Sequence, residues 1–363
     1  MDAYALIYRA HFAFINNPRI NSKGMDTSAI LGFVNSLLDV INREKPDHLA
    51  VAFDNGGSHI RTEAFPEYKS NRLETPEAIK IAIPYIHKIL EAMHIPIIEK
   101  VGFEADDLIG TLAKQAEKVG YQTFMVTPDK DFAQLVSKNI FIYRPARMGN
   151  GIEIWGVEEV QKKFEISDPL QVIDFLGMMG DSVDNIPGLP GVGEKTAKKF
   201  LAEYGSMENL LANTDKITGK LKEKIEQNKE KGLLSKKLAT IILDVPIDYN
   251  LENFKLKDPD INKIKEIFND LEFKRMTENF MKIFSPKENS IELPDSQKEI
   301  QYDLFNTPGM LSSQLKSDFT GSTKNKHFYQ KISTNLCASL FFKKNSKQKK
   351  VGISLVNSII DKT

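Results

Sequence analysis

Three short apolar runs, HLAVAF (48–53), IPIIE (95–99) and TFMVT (123–127), alternate with helical patterns, and this alternation limits the possible folds more than any other feature. SAILGFVNSLLDVINRE (28–44) precedes the first run, PEAIKIAIPYIHKILEAM (76–93) separates the first two, and an acid-headed pattern at 104–118 separates the last two. Parallel strands need long crossovers, usually helical, so the order predicts an α/β fold with a mostly parallel sheet flanked by helices. IFIYRPARMGNGIEIWG (140–156) has a Gly-Asn-Gly centre that suggests a hairpin. Beyond residue 157 the strand signal ends and helical patterns run to about 285, the last being INKIKEIFNDLEFKRMTENFMKIF (261–284). The expected organisation is an α/β core over 1–170, a helical subdomain over 171–285, a polar linker over 286–326 and the start of a following domain over 327–363.

Each apolar run leads into carboxylates. HLAVAFD ends on Asp54, TFMVTPDKD on Asp129 and Asp131, and IIEKVGFEADD on Glu104, Asp106 and Asp107. Asp2 stands just before a helical pattern. One acid at a helix start needs no further explanation, since Asp is a common cap and an acid there gains about 0.3–1 kcal/mol from the helix dipole. Several such junctions are another matter, because open α/β sheets bind ligands beyond the carboxyl ends of their strands. Like charges about 4 Å apart repel by about 4 kcal/mol at an effective dielectric near 20, so a gathered set implies cations. None of the six histidines falls at metal-ligand spacing, and Cys337 is the single cysteine. Oxygen-only donors select hard ions, Mg²⁺ or Mn²⁺, and a pair of them is the apparatus for displacement at a phosphate. The substrate class is therefore phosphoryl, with nucleic acid the leading candidate.

A second acidic pair, Asp181 and Asp184, opens GDSVDNIPGLPGVGEKTAKKFLAEYGS (180–206). Gly188, Gly191 and Gly193 precede a helix that begins near Lys195 and Thr196, offering backbone N–H groups to a phosphate. The plain alternative is a helix–helix turn. A nucleotide P-loop fits poorly, since Glu194 intrudes before Lys195 and no apolar strand precedes the glycines. Arg61, Lys69 and Arg72 with Tyr68 follow Asp54, a pattern suited to phosphate clamping and base stacking. KITGKLKEKIEQNKEKGLLSKK (216–237) is lysine-rich, which also describes a solvated helix face.

Composition adds boundaries only. With 41% hydrophobic and 27% charged residues, the 363-residue chain is that of a soluble globular protein, and 49 basic residues balance 49 acidic ones. No apolar run of membrane length and no leader is evident, so a cytoplasmic location without membrane partners is expected.

The blocks VAFDNGGSHIRTEAFPEYKSNR, GFEADDLIGTLAKQAEKVGYQTFMVTPDKDFAQLV and MGDSVDNIPGLPGVGEKTAKKFLAEYGS resemble the 5′ nuclease (5′-3′ exonuclease) domain of bacterial DNA polymerase I, within the flap endonuclease family. The resemblance runs from residue 2 to about 285 and includes LEFKRM (271–276). It implies a PIN-like core, a helical subdomain with a helix-hairpin-helix-type turn, and cleavage of DNA phosphodiesters at 5′ flaps, nicks and duplex 5′ ends, for primer removal and repair. By position it implies a metal site for two Mg²⁺ ions (Mn²⁺ substituting) from Asp2, Asp54, Glu104, Asp106, Asp107, Asp129, Asp131, Asp181 and Asp184. Lys69 and Arg72 match the basic residues at the scissile phosphate. Arg61, Tyr68, Gly188, Gly191, Gly193, Lys195 and Thr196 fall in the DNA-contacting regions, with K⁺ at the hairpin in some members.

Two departures set further expectations. The family has an apolar strand before the first aspartate, whereas here Met1 precedes Asp2, so Asp2 is expected to be poorly anchored. KNKHFYQKI (324–332) resembles entry into the next polymerase I domain, yet no proofreading motif follows, suggesting a piece truncated at both ends and lacking the polymerase. A DNA-binding fragment without catalysis and a PIN-type ribonuclease are the alternatives.

Overall fold

The computed structural model describes residues 1–145 and 151–284, and the linker and following domain expected beyond 285 lie outside the described residues, as do Gly149 and Asn150 of the hairpin centre. The elements in chain order are α1 (Ala3–Phe14), α2 (Ser28–Glu44), β1 (Val51–Ala52), α3 (His59–Ala64), α4 (Glu77–Ala92), β2 (Ile97–Ile98), α5 (Ala105–Lys118), β3 (Thr123–Val126), β4 (Ile140–Arg144) and β5 (Glu153–Trp155). The helical part follows with α6 (Val157–Phe164), α7 (Gln171–Met179), α8 (Glu194–Tyr204), α9 (Met207–Ala212), α10 (Lys220–Gln227), α11 (Lys229–Ala239), α12 (Leu251–Phe254), α13 (Ile261–Asp270) and α14 (Lys274–Phe284).

The apolar runs do become strands, but short ones. β1 pairs with β2 and β3 with β4, both parallel, and β5 closes antiparallel on β4 with Ile142 opposite Trp155. The two sheets are joined by the first two residues. The Ala52 N–H donates to the Met1 carbonyl at 2.8 Å and the Asp2 N–H to the Val126 carbonyl at 3.1 Å, while Asp2 forms a parallel bridge with Ala52. Met1 and Asp2 thus sit between β1 and β3, giving the order β2, β1, residues 1–2, β3, β4, β5. This corrects the expectation that Asp2 is poorly anchored: backbone hydrogen bonds to both sides fix it at the sheet's centre.

Apolar spacing dictates the flanking helices. α2 buries Ile30, Phe33, Val34, Leu37 and Ile41 along one face and ends where Lys45 turns left-handed at φ 45°. With α4 it builds one core around Phe33, Ile79, Ile86 and Ile89, each such side chain contributing about 1.5–3 kcal/mol by leaving water. A second core runs from Leu108, Phe132 and Ile142 through Phe175 and Leu189 to Leu201 and Ile225. It crosses the boundary expected at 170 without a gap, and residues 1–286 form one compact unit.

The expected single helix over 261–284 is two. Glu272 is left-handed at φ 62°, and Leu271 and Phe273 turn inward, with the Phe273 N–H donating to the Phe268 carbonyl at 2.7 Å. Burying both flanking side chains outweighs continuing the helix. α13 and α14 then place Ile264, Phe268, Met276 and Phe280 in the first core, beside α2 and α4 rather than in the helical layer. Among the described residues no helix is long and apolar enough to cross a membrane.

Candidate acid site and hairpin

The strand ends deliver their acids to one edge. Asp2 caps α1, its Oδ1 accepting the Ala5 N–H at 3.1 Å. Its Oδ2 accepts the Thr127 hydroxyl at 2.8 Å, and Thr127 Oγ1 in turn accepts the Asp129 N–H at 3.1 Å. Asp54, leaving β1, accepts the Ala105 N–H at the start of α5 at 2.7 Å. Asp129 accepts the Asp131 N–H at 2.9 Å. The 181–186 loop closes on itself through paired backbone bonds between Asp181 and Ile186, with the Asp181 carboxylate accepting the Val183 N–H at 2.7 Å.

Proximity leaves an electrostatic mark. Burial, with Asp54 and Asp129 adding repulsion against two hydrogen bonds, pushes the Asp2 carboxyl up to about 7. Burial and then Asp129 push Asp131 up to about 8, with Asp181 and Asp184 adding to the effect. Asp106 is driven well above its usual range by burial, then by Asp129, Asp2 and Asp54, while Lys69 opposes the rise. Asp54 and Asp129 are raised as well, burial again leading. Such an array favours holding protons or cations at neutral pH. Asp131 Oδ1 is buried with no hydrogen-bond partner, an unsatisfied carboxyl oxygen of the kind that coordinates a hard cation. Among the described residues no three carboxylates converge closely enough to hold one ion alone, so the donors form an open array rather than a closed cage.

Two cations border the array. Lys69 Nζ lies 2.6 Å from Glu104 Oε1 and 3.6 Å from Asp184 Oδ2, and Arg72 pairs with Asp184. Burial alone would lower the Lys69 ammonium, but Glu104, with Tyr68, Asp184 and Asp106, holds it above its ordinary value. Lys69 is left-handed at φ 57°, and its N–H donates to the Asp184 carbonyl at 2.9 Å. Asn71 donates to the Ser182 carbonyl and Asn185 to the Glu67 carbonyl, each at 2.7 Å, docking the basic segment on the acidic loop.

Between α7 and α8 the chain turns back tightly. A Cβ added at Gly188 would stand 2.6 Å from the Gly180 nitrogen, and one at Gly180 would stand 2.5 Å from the Ile186 carbonyl oxygen. Gly191, at φ 89°, and Gly193 are exposed, and Gly193 caps α8. Lys195 is exposed and Thr196 half-buried on the first turn of α8, so this end of the turn is open to a phosphate.

Residues 1–165 match the 5′-3′ exonuclease N-terminal resolvase-like domain, and residues 167–262 match the 5′-3′ exonuclease C-terminal SAM fold. The chain is 38% identical over 284 residues to the 5′-3′ exonuclease of Aquifex aeolicus, covering 78% of this chain and 95% of that protein. The chain belongs to the 5′-3′ exonuclease family. It is also 39% identical over 308 residues to DNA polymerase I of Caldicellulosiruptor bescii and 41% identical over 280 residues to that of Bacillus subtilis. These alignments take in 83% and 77% of this chain but only 36% and 31% of the polymerases, so the chain spans about a third of their length. In fold it is similar to the phage T5 D15 protein co-crystallized with metal ions (TM-score 0.54, 18% identity, 78% of this chain, 97% of that one). It is similar as well to the catalytic core of Rad2 in complex with DNA substrate (TM-score 0.53, 18% identity, 78% of this chain, 91% of that one).

Within this family frame the structure revises four residues read from sequence. Asp107 does not join the array: its two oxygens accept Arg61 Nη1 and Nη2, both at 2.8 Å, the Ile242 N–H at 2.8 Å and the Glu104 N–H at 3.2 Å. Four donors use a carboxylate's capacity, leaving nothing for a metal. Arg61, 5% exposed, spends all five N–H groups inside the protein and has none for DNA. Tyr68 is buried beside Ile186 and Leu238 with its hydroxyl donating to Glu104 at 3.0 Å, so its ring is no platform for a base. Gly188 is buried at the chain crossing, where it permits close approach rather than touching a phosphate. Two residues escaped the sequence reading. Thr127, which joins Asp2 to Asp129, hid as a strand-end threonine. Gln134, only 2% exposed, was signalled by a polar residue within the apolar run DFAQLV.

Proposed function

We propose that this chain is a divalent-metal-dependent, structure-specific 5′ nuclease that hydrolyses DNA phosphodiesters at 5′ flaps, nicks and duplex 5′ ends, in primer removal and repair. The observation carrying this reading is an open array of carboxylates, Asp2, Asp54, Glu104, Asp106, Asp129, Asp131, Asp181 and Asp184, linked pairwise by mutual repulsion, with one Asp131 oxygen buried and unpartnered. Family membership and the metal ions and DNA named for similar structures support it.

The donor set suits two Mg²⁺ ions, with Mn²⁺ able to substitute. When bound, such ions lower the pKa of an attacking water and neutralise charge on the leaving oxygen. The protein's own groups do the rest. Asp2 and Asp129, tied through Thr127, fix the array against the sheet. Lys69 and Arg72, held on Glu104 and Asp184 in the free protein, exchange those partners for the scissile phosphate. Gly191, Gly193, Lys195 and Thr196 hold the duplex backbone without reading bases, with K⁺ at the same turn.

The test is cleavage of a 5′-flap DNA by the purified chain under Mg²⁺, with EDTA as control and an RNA flap alongside. Metal-dependent release of the DNA flap is expected. An intact DNA flap refutes the proposal, and faster cutting of RNA moves the chain to a ribonuclease. A catalytically silent binding module was motivated by a loose Asp2, and the fixed position of that residue removes the motive.

A further inference from the structure

The segment 238–242, the last two residues of α11 and the three beyond it, has one backbone polar group on each of five consecutive residues held by three buried side chains. Arg61 Nε donates to the Leu238 carbonyl at 3.0 Å and Nη2 to the Thr240 carbonyl at 2.8 Å. Gln134 Nε2 donates to the Ala239 carbonyl at 3.0 Å, and its Oε1 accepts the Ile241 N–H at 2.9 Å. Asp107 accepts the Ile242 N–H at 2.8 Å. Helix formation cannot explain this, because each bond comes from an element distant in sequence.

All three side chains also reach the acid array. Arg61 Nη1 lies 3.2 Å from Glu104 Oε2. Asp107 accepts the Glu104 N–H. Gln134 Nε2 also donates to the Asp131 carbonyl at 3.1 Å. At its other side α11 touches the hairpin: Ser235, fully buried, accepts the Gly188 N–H at 2.9 Å and donates to the Lys231 carbonyl at 2.8 Å. A continuous path of satisfied polar groups thus leads from the DNA-binding turn through α11 and 238–242 to the backbone of Glu104 and Asp131.

We propose that Gln134 and Arg61 are positioning residues, and that α11 with 238–242 couples engagement of duplex DNA at the hairpin to the placement of Glu104 and Asp131. The inference rests on the nuclease reading for its kinetic consequence, whereas its structural half stands independently. Burial makes the path stiff: freeing any of these groups leaves a desolvated donor or acceptor unpaired, so the elements shift together.

Two measurements test it. Gln134→Met removes the amide's bonds at nearly constant volume and touches no substrate. Its first readout is amide hydrogen exchange of the peptide spanning Gly188, without DNA or metal. Faster exchange there than in the wild type is expected, and an unchanged rate overturns the coupling whatever the enzyme's activity. The second is single-turnover flap cleavage at saturating DNA and Mg²⁺ by Gln134→Met, Ser235→Ala and the double variant. Each single change is expected to slow cleavage about tenfold, and the double to slow it little further, because independent sites multiply whereas coupled ones do not. Multiplying effects, or unchanged rates in folded variants, overturn the proposal. Should Gln134→Met fail to fold, Arg61→Lys, which keeps the charge on Asp107, enters the same cycle with the same outcomes. Failure of the wild type to cleave would count against the nuclease reading alone.

Discussion

Asparagine in place of aspartate makes the same chemical change at 107 and at 131, two acids that follow β2 and β3, yet the structure demands opposite results. At 107 the carboxylate accepts four hydrogen bonds and forms a bidentate pair with a guanidinium that is itself buried. An asparagine there presents an N–H₂ to groups that are all donors and leaves the Arg61 charge only its 3.2 Å contact with Glu104. Breaking one partner of a buried ion pair costs about 3–5 kcal/mol. For a unit of 286 residues, an unfolding entropy of about 2.1 cal/mol/K per residue makes each kcal/mol worth about 1.7 °C, so a fall of about 5–8 °C is expected. At 131 the carboxylate has an unpartnered oxygen and a pKa driven up to about 8 by burial and by Asp129. An asparagine spares the fold the cost of holding this buried carboxyl protonated at neutral pH, so metal-free Tm rises while Mg²⁺-dependent flap cleavage is lost. Thermal melting in EDTA at neutral pH, followed by flap cleavage, reads both variants. A melting temperature for Asp107→Asn equal to that of the wild type, or a fall for Asp131→Asn as large as that at 107, would refute the division of the acids into structural and metal-facing groups.

The pH dependence of the metal-free protein follows from Asp2 near 7 and Asp131 near 8. Because folding raises these values, the fold binds protons more tightly than the unfolded chain. Stability is therefore fullest near pH 4 and declines as pH rises toward about 8; denaturant melts across that window, with and without Mg²⁺, check it, and Mg²⁺ flattens the decline. Lys69→Ala is expected to slow single-turnover cleavage about 10²-fold with little change in DNA affinity. Lys195→Ala weakens binding and reduces the slope of log K against log salt by about 0.9, measured by a salt titration. Gly188→Ala combines a left-handed φ of 64° with a contact to Gly180 that no side chain tolerates, so circular dichroism melting should show a loss well above about 1 kcal/mol.

The gathering of the acids was legible because strand ends in a parallel sheet share an edge, and the residues beyond Ala52, Ile98 and Val126 must meet there. The role of Asp107 was not legible. Its partners are Arg61, 46 positions away, and Ile242, 135 away, and no local pattern distinguishes a carboxylate facing a guanidinium from its neighbour facing the array. Tyr68 misled for a related reason: an aromatic beside lysine and arginine reads as a nucleic-acid contact, but its ring packs on Ile186 and Leu238. The break between α13 and α14 hid inside an uninterrupted helical period, since only the core's demand for Leu271 and Phe273 places a left-handed residue between them.

The two-residue segment at the centre of the sheet has a consequence for how the molecule matures. Asp2 reaches its place by meeting Ala52 and Val126, so the chain must close very long loops before the first acid stands beside the others. Long-range closures of this kind come late on the folding pathway. Nascent helices pack before the acid array exists. A half-folded chain then carries scattered carboxylates, and the array arrives only with the finished fold.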